Sequence, residues 1–342
     1  MMRQISYAQR FEDLRLLRCF DMQPTGFYID VGAGHPVYDN VSFTFYLRGW
    51  SGITVEPNPW LAELTAAVRP RDRRFQSLVG AAPGEATYYL IEHFHGLSTT
   101  IERNARVAQQ EFGRNAQAIP MHVATLSDLC SEFGQPAIDF LKIDVEGAER
   151  EVLAGNDWQR FRPKVVTAEA LAPVTMVPAW DAWEPILTDN GYRFAYFDGL
   201  NRYYVADEHA GLAKMLAAEP TSFAEVLQFH TLKPALEDFS HPDHRLARLL
   251  TGMDPVRLPL APPDLLVERL TAGIADADLA APADPAAIAL VYERLFGAKS
   301  ATQWGAELEL SRDATIRDLY RSAVSSEMFR AACGRISASY AW

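Results

Sequence analysis

Asp30-Val31-Gly32-Ala33-Gly34 closes a short apolar run with an acid and two glycines. Glycines at such a position let the backbone turn sharply and approach a ligand closely. A dinucleotide fingerprint would place a third glycine three residues after Gly34, where this chain has Val37. The pattern suits an adenosyl cofactor whose amino-acid end carries its own ammonium. Glu56 stands 24 residues after Gly32 at the end of the next apolar run, placed to accept hydrogen bonds from both hydroxyls of a ribose. The structural alternative is a strand-to-turn glycine pair with a helix-capping acid.

A second group is Leu141-Lys142-Ile143-Asp144-Val145-Glu146-Gly147, in which two acids end another strand candidate. Ligands of open parallel sheets lie beyond the carboxyl ends of the strands, so one of these acids should face the crevice. Asp144 is the expected one, as a base or as a residue that orients a hydroxyl; a plain helix N-terminal acid is the alternative. His35, directly after the glycine loop, is the competing substrate contact. Gln9, Glu12 and Asp13 lie off the apolar stripe of a first helix that can fold over the cofactor mouth, although a solvated polar face would look the same. His93 and His95 are two apart on a strand candidate but lack a third placed ligand, so no metal is expected there.

The elements that must position these groups follow from periodicity. Phe11, Leu14, Leu17 and Phe20 share one face of a helix over 1–20. Short apolar runs at 26–36, 52–59, 74–80, 86–92, 138–147 and 163–171 read as strands, as does the start of 122–133. Helical stretches at 41–50, 60–68, 101–112, 148–155 and 180–192 separate them, with another capped by Ser127. Residues 193–206 read as a closing hairpin turned at Asp198-Gly199. This alternation predicts an α/β fold with a mostly parallel sheet covered on both faces. After about residue 207 no strand pattern remains. Residues 272–289, rich in alanine with two prolines, read as a linker or loose turn, and 287–333 as two or three short helices.

Composition narrows the partners. Lys plus Arg is 32 against 44 for Asp plus Glu, a formal charge of −12 over 342 residues. An acidic chain gains nothing from counterion release on a phosphate backbone, so nucleic acid is not expected as the main partner. Cys19, Cys130 and Cys333 share no paired spacing, which argues against a disulfide framework or a cysteine zinc site. The polar N-terminus does not read as a signal peptide, and no run reaches the roughly 18 apolar residues of a membrane span. A soluble, cytoplasmic protein is expected.

Several pieces in order resemble the FkbM-type family of S-adenosylmethionine-dependent methyltransferases: SYAQRFEDL (6–14), GFYIDVGAGHP (26–36), DNVSFTFYLRGWSGITVEPNP (39–59), GLSTT (96–100), TLSDL (125–129), IDFLKIDVEGAEREVLAG (138–155) and VVTAEA (165–170). The resemblance implies a Rossmann-like class I methyltransferase domain over residues 1–206 that moves a methyl group to a hydroxyl. The acceptors it implies are sugars in polysaccharides or glycosylated metabolites, or polyketide hydroxyls. Asp30, Gly32, Ala33 and Gly34 would cradle S-adenosyl-L-methionine, Glu56 would hold its ribose, and Gln9 and Glu12 would lie at its mouth. Asp144 and Glu146 would lie near the transfer site, with Asp144 or His35 taking the hydroxyl proton. A divalent cation such as Mg2+ held by Asp144 and Glu146 is the alternative. The chain departs from the family at Arg10-Phe11, where Asn-Gly or a similar pair is usual, and at Asn40, where serine is frequent.

Residues 207–280 are expected to form a helical connector and 281–342 a small helical module. The latter is similar to short modules of bacterial surface and secreted proteins, with Trp304 and a final helix ending in Ser326 to Phe329 as its marks. It would bind a protein partner or support a homo-oligomer rather than catalyse. A cofactor-binding scaffold that has lost catalysis is the alternative function, and the retained acids at 30, 56, 144 and 146 argue against it.

Overall fold

A computed structural model describes residues 4–91, 95–134, 137–173, 175–218, 225–297, 311 and 313–340. His93 and Trp304 lie outside them. The chain divides into two compact units, one of residues 1–66 with 71–229 and one of residues 67–70 with 230–342.

The first unit is built on the alternation seen in the sequence. Its strands are β1 (Ile5–Ser6), β2 (Phe27–Val31), β3 (Ser51–Val55), β4 (Arg73–Phe75), β5 (Leu78–Val79), β6 (Gly84–Ile91), β7 (Ala116–Ala124), β8 (Phe140–Ile143), β9 (Val165–Glu169), β10 (Tyr192–Phe197), β11 (Asn201–Ala206) and β12 (Leu227–Gln228). Seven of them form the main sheet in the order β10-β11-β9-β8-β2-β3-β4. The pairs from β9 through β8, β2 and β3 to β4 are parallel, while β11 is antiparallel to both β9 and β10. The strand order reverses between β2 and β8, and that switch point opens a crevice at their carboxyl ends. Gly32 and Asp144 follow these two strands directly.

Period-two alternation sends the strands' side chains into two cores. Ile29, Val31, Ile53, Val55, Leu141, Ile143, Val166 and Ala168 pack on one face. Tyr28, Phe140, Val165, Tyr203 and Val205 pack on the other, with Leu14, Leu16, Leu17 and Phe20 of helix α1 (Glu12–Phe20). A second sheet, β5-β7-β6, carries the alternating strand expected near 86–92 as β6.

Several boundaries differ from the periodicity. The first helix begins at Glu12 rather than near the N-terminus, because Phe11 takes a left-handed backbone (φ 63°) that a helix cannot continue. Helix Leu126–Ser131 is capped by Thr125, not Ser127: Thr125 and Asp128 exchange side-chain and backbone hydrogen bonds in a capping box. A strand does occur beyond residue 207, since β12 pairs in parallel with β1. It escapes a pattern search because two residues have no period.

The second unit is helical. Ala235, Leu246, Leu258, Leu270, Leu279, Leu295, Leu319, Phe329 and Ile336 belong to one core, so the position near 280, expected as a boundary, falls inside a continuous packed body. Leu279 is the reason: a buried leucine in the short helix Asp276–Leu279 anchors the alanine-rich stretch. The final helix does not end at Ser326 to Phe329 but starts there: Ser326 caps Glu327–Ala338 by accepting the Phe329 amide hydrogen at 3.2 Å. Among the described residues no helix is long and apolar enough to cross a membrane.

Candidate active site

The glycine loop leaves β2 with Gly32 at φ 71° and Gly34 at φ 61°, both in the left-handed region. A Cβ on Gly32 would meet the Asp144 carbonyl oxygen at 1.7 Å, so glycine is required where β2 and β8 run out side by side. The amides of Gly32 and Ala33 donate to the Val55 carbonyl at 3.0 Å each, and Gly34 donates to Glu56 Oε2 at 2.8 Å. Asn40 Nδ2 donates to the Ala33 carbonyl at 2.9 Å, which gives the departure at position 40 a function in holding the loop. Ala33 is itself buried.

Glu56 accepts the Asn58 amide on its other oxygen at 2.8 Å. Burial, against these two amide bonds, pushes its carboxyl up to about 7. Tyr88 of β6 is also buried, and Glu56 and Glu146 both bear electrostatically on its hydroxyl, which joins the second sheet to the site.

Cross-strand register puts a polar row on the α1 face of the sheet. Thr54, Asp30, Lys142, Thr167 and Tyr203 are successive neighbours on β3, β2, β8, β9 and β11. Asp30 is fully buried, with Ser42 Oγ donating to its Oδ2 at 2.5 Å and Lys142 Nζ at 3.3 Å from its Oδ1. It therefore lies under the loop rather than at the ligand surface expected of it. Lys142 also donates to the Gly32 carbonyl at 2.7 Å and lies 3.4 Å from Asp144 Oδ2. Burial works against this ammonium, but Asp30 and Asp144 together outweigh it and hold its pKa above the usual lysine value.

Asp144, Glu146 and Glu169 converge at the carboxyl ends of β8 and β9, each with one oxygen within 4.8 Å of the others. Asp144 has a side chain that is 41% exposed. Glu146 has a left-handed backbone at φ 57°, followed by Gly147 at φ 105°. Thr99 Oγ1 and Asn104 Nδ2 donate to the Glu146 carbonyl at 3.0 and 3.2 Å and hold that turn. Glu149 accepts the Gly147 and Val145 amides, and burial pushes its carboxyl up to about 7. Glu169 Oε2 is buried with no hydrogen-bond partner among the described residues. Burial first, and then repulsion from neighbouring carboxylates, raises the proton affinity of Glu146 and Glu169 well above the ordinary glutamate value.

Three other expected residues make contacts of their own. His35 is buried, and its Nδ1 accepts the Val37 and Tyr38 amides at 3.2 and 3.1 Å. That nitrogen is an acceptor in its ordinary state, so the proton sits on Nε2 and no lone pair remains for base work. Glu12 is buried between the Arg10 amide (2.5 Å) and Asn201 Nδ2 (3.0 Å), where it ties α1 to β11. Gln9 is exposed, and its backbone carbonyl accepts from Gln228.

Lys142 and Glu169 were not expected as site residues. A lysine inside the apolar run Phe140–Ile143 is a signal available in the sequence. Glu169 offers none alone; it joins the site because the register that pairs Ile143 with Ala168 brings the next residues, Asp144 and Glu169, side by side.

A Rossmann-like sheet with β11 reversed between β9 and β10, a glycine loop at its switch point and an acid after β3 is the arrangement of the class I methyltransferase fold. Residues 30–194 match the methyltransferase FkbM domain. The chain is 31% identical over 193 residues to the 31-O-demethyl-FK506 methyltransferase FkbM of Streptomyces tacrolimicus, covering 47% of this chain and 73% of that protein. It belongs to the FkbM methyltransferase family. Among solved structures, a TehB-like S-adenosylmethionine-dependent methyltransferase from Corynebacterium glutamicum aligns at 11% identity and a TM-score of 0.32, covering 57% of this chain and 87% of that one.

Proposed function

We propose that this protein transfers the methyl group of S-adenosylmethionine to a hydroxyl oxygen of a sugar, in a polysaccharide or a glycosylated metabolite. The observation that carries the oxygen acceptor is the meeting of Asp144, Glu146 and Glu169 beside the glycine loop. A neutral hydroxyl is a weak nucleophile, and a carboxylate that takes its proton raises the rate by roughly 10²–10⁴. The relative named for an O-demethyl substrate supports the same acceptor atom. The sugar rests on the family resemblance.

The donor set fits the cofactor. Each Glu56 oxygen accepts one amide and keeps a second lone pair for a ribose hydroxyl. The acids at the ends of β8 and β9, whose proton affinity burial and mutual repulsion raise, would be drawn to their charged form by a cationic cofactor. Bound S-adenosylmethionine supplies an electrophilic methyl whose leaving group is a neutral sulfide. Gly32, Ala33 and Gly34 shape the loop against it, Asp144 orients the acceptor hydroxyl, and Glu146 lies beside the transfer site. Asp144, Glu146 and Glu169 are also donors of the kind that hold Mg2+, so titrations belong with and without added Mg2+.

The test is calorimetric titration with S-adenosylmethionine and, separately, NADH, followed by a screen of sugar acceptors with labelled methyl donor. Micromolar S-adenosylmethionine binding, absent for NADH and lost in Gly32→Trp, is expected. Absence of binding under both metal conditions would overturn the cofactor, whereas binding without transfer to any acceptor would leave the scaffold function instead. Transfer to nitrogen or carbon acceptors alone would overturn the hydroxyl.

A further inference from the structure

Lys142 stands in the middle of β8, and none of the roles above uses it. We propose that Lys142 is a positioning residue for methyl transfer, its ammonium fixing the glycine loop and the Asp144 carboxylate in one relation to each other. This rests on the reading above, in which the loop faces the cofactor and Asp144 the acceptor.

An ammonium has three N–H donors and no acceptor. Lys142 Nζ has three oxygen neighbours: the Gly32 carbonyl at 2.7 Å, Asp30 Oδ1 at 3.3 Å and Asp144 Oδ2 at 3.4 Å. The side chain is only 9% exposed, so these neighbours stand where water would. Asp30, fully buried and also held by Ser42, anchors the ammonium to the sheet. The other two contacts reach the two halves of the switch point, one on the strand that leads to the cofactor and one on the strand that leads to the acceptor.

Each contact removes a freedom that matters to an in-line displacement. The Gly32 and Ala33 amides are already tied to the Val55 carbonyl, so the bond from Lys142 to the Gly32 carbonyl pins the loop from the opposite side. At Asp144, the ammonium pairs electrostatically with Oδ2 at 3.4 Å, which orients the carboxylate and leaves Oδ1 to the acceptor. An apolar residue would fill a strand interior at far lower desolvation cost than a buried ion pair. What the ammonium adds is a fixed separation between loop and carboxylate, and misplacement of about 1 Å can cost about 10²-fold in rate.

The experiment uses the full chain with S-adenosylhomocysteine as the probe, read by calorimetry, alongside the thermal midpoint without ligand. Lys142→Met is expected to weaken binding by about ten- to a hundredfold, the worth of a charge-assisted hydrogen bond. Lys142→Met with Asp30→Asn removes both buried charges together. It is expected to recover the midpoint lost in the single variant while affinity stays low. Affinity within about twofold of wild type in either variant would mean that Lys142 only supports the fold, and would overturn the proposal.

The wild-type chain supplies a check that needs no substitution. The ¹⁵N signal of the Lys142 ammonium is expected to shift when S-adenosylhomocysteine is added, and a signal that stays in place counts against the proposal. A wild-type chain that does not bind S-adenosylhomocysteine overturns the cofactor reading and this proposal with it. A binding wild type with unaffected variants overturns this proposal alone.

Discussion

A methyl group added at Gly32 has nowhere to go: the Asp144 carbonyl stands 1.7 Å from the Cβ position, and the φ of 71° disfavours any side chain. Gly32→Ala should therefore destabilise the protein by more than about 2 kcal/mol in urea unfolding, since strain and overpacking add. At Asp144 the expected effect is of another kind. Asp144→Asn keeps an oxygen that can accept from Lys142, so S-adenosylhomocysteine affinity should stay nearly unchanged. Turnover on an identified acceptor should fall by roughly 10²–10⁴. Full activity in that variant would remove Asp144 from the transfer step. The two positions are adjacent in space, and the measurements separate a residue that shapes the site from one that acts in it.

Elements matter here through their ends. The departure at Arg10-Phe11 falls where the backbone is left-handed, the conformation a glycine supplies without strain. Phe11 is accommodated because its side chain packs at the edge of the core formed by α1, β2 and β8. Helix Leu126–Ser131 depends on its capping box, so Thr125→Ala should cost about 1 kcal/mol by thermal or urea unfolding. Ser127→Ala leaves that box intact. Ser127 Oγ accepts the Asp157 amide hydrogen at 2.7 Å, so a loss there reports that bond; an unchanged stability in Thr125→Ala would contradict the cap assignment. The box was legible as Thr125-x-x-Asp128; the serine two residues on competes with it only when the pattern is read without the acid.

Across the whole molecule the notable cost is buried acid. Burial, the largest cause in each case, raises the Glu12 carboxyl to about 8 and those of Glu56 and Glu149 to about 7. A carboxyl with a raised pKa in the folded state binds protons more tightly there than in the unfolded chain. Its contribution thus favours folding below the ordinary glutamate value and is lost as pH rises through the folded value. The ligand-free protein should accordingly have a higher thermal midpoint near pH 5 than near pH 8. Glu12→Gln should flatten that slope, and a midpoint that rises steadily from pH 5 to 8 would contradict the burial of these groups. Bound cofactor should reduce the slope as well, because Glu56 then gains partners for its charged form.

The sequence alone determined the alternation of strands and helices, the glycine loop, the acid after β3 and the pair of acids after β8. Each is written in local periodicity or in a short motif, and local interactions suffice to form it. Tertiary structure decided which of these meet. Glu169 enters the site through strand register, Lys142 through contacts with Gly32 and Asp30, 110 positions away or more, and His35 leaves the list of bases because two backbone amides claim its Nδ1. The helical second unit shows the same limit, since a buried Leu279 turns an alanine-rich stretch that reads as a linker into part of a core. Local patterns specify elements, whereas burial and long-range hydrogen bonding choose among the roles that a polar side chain could take.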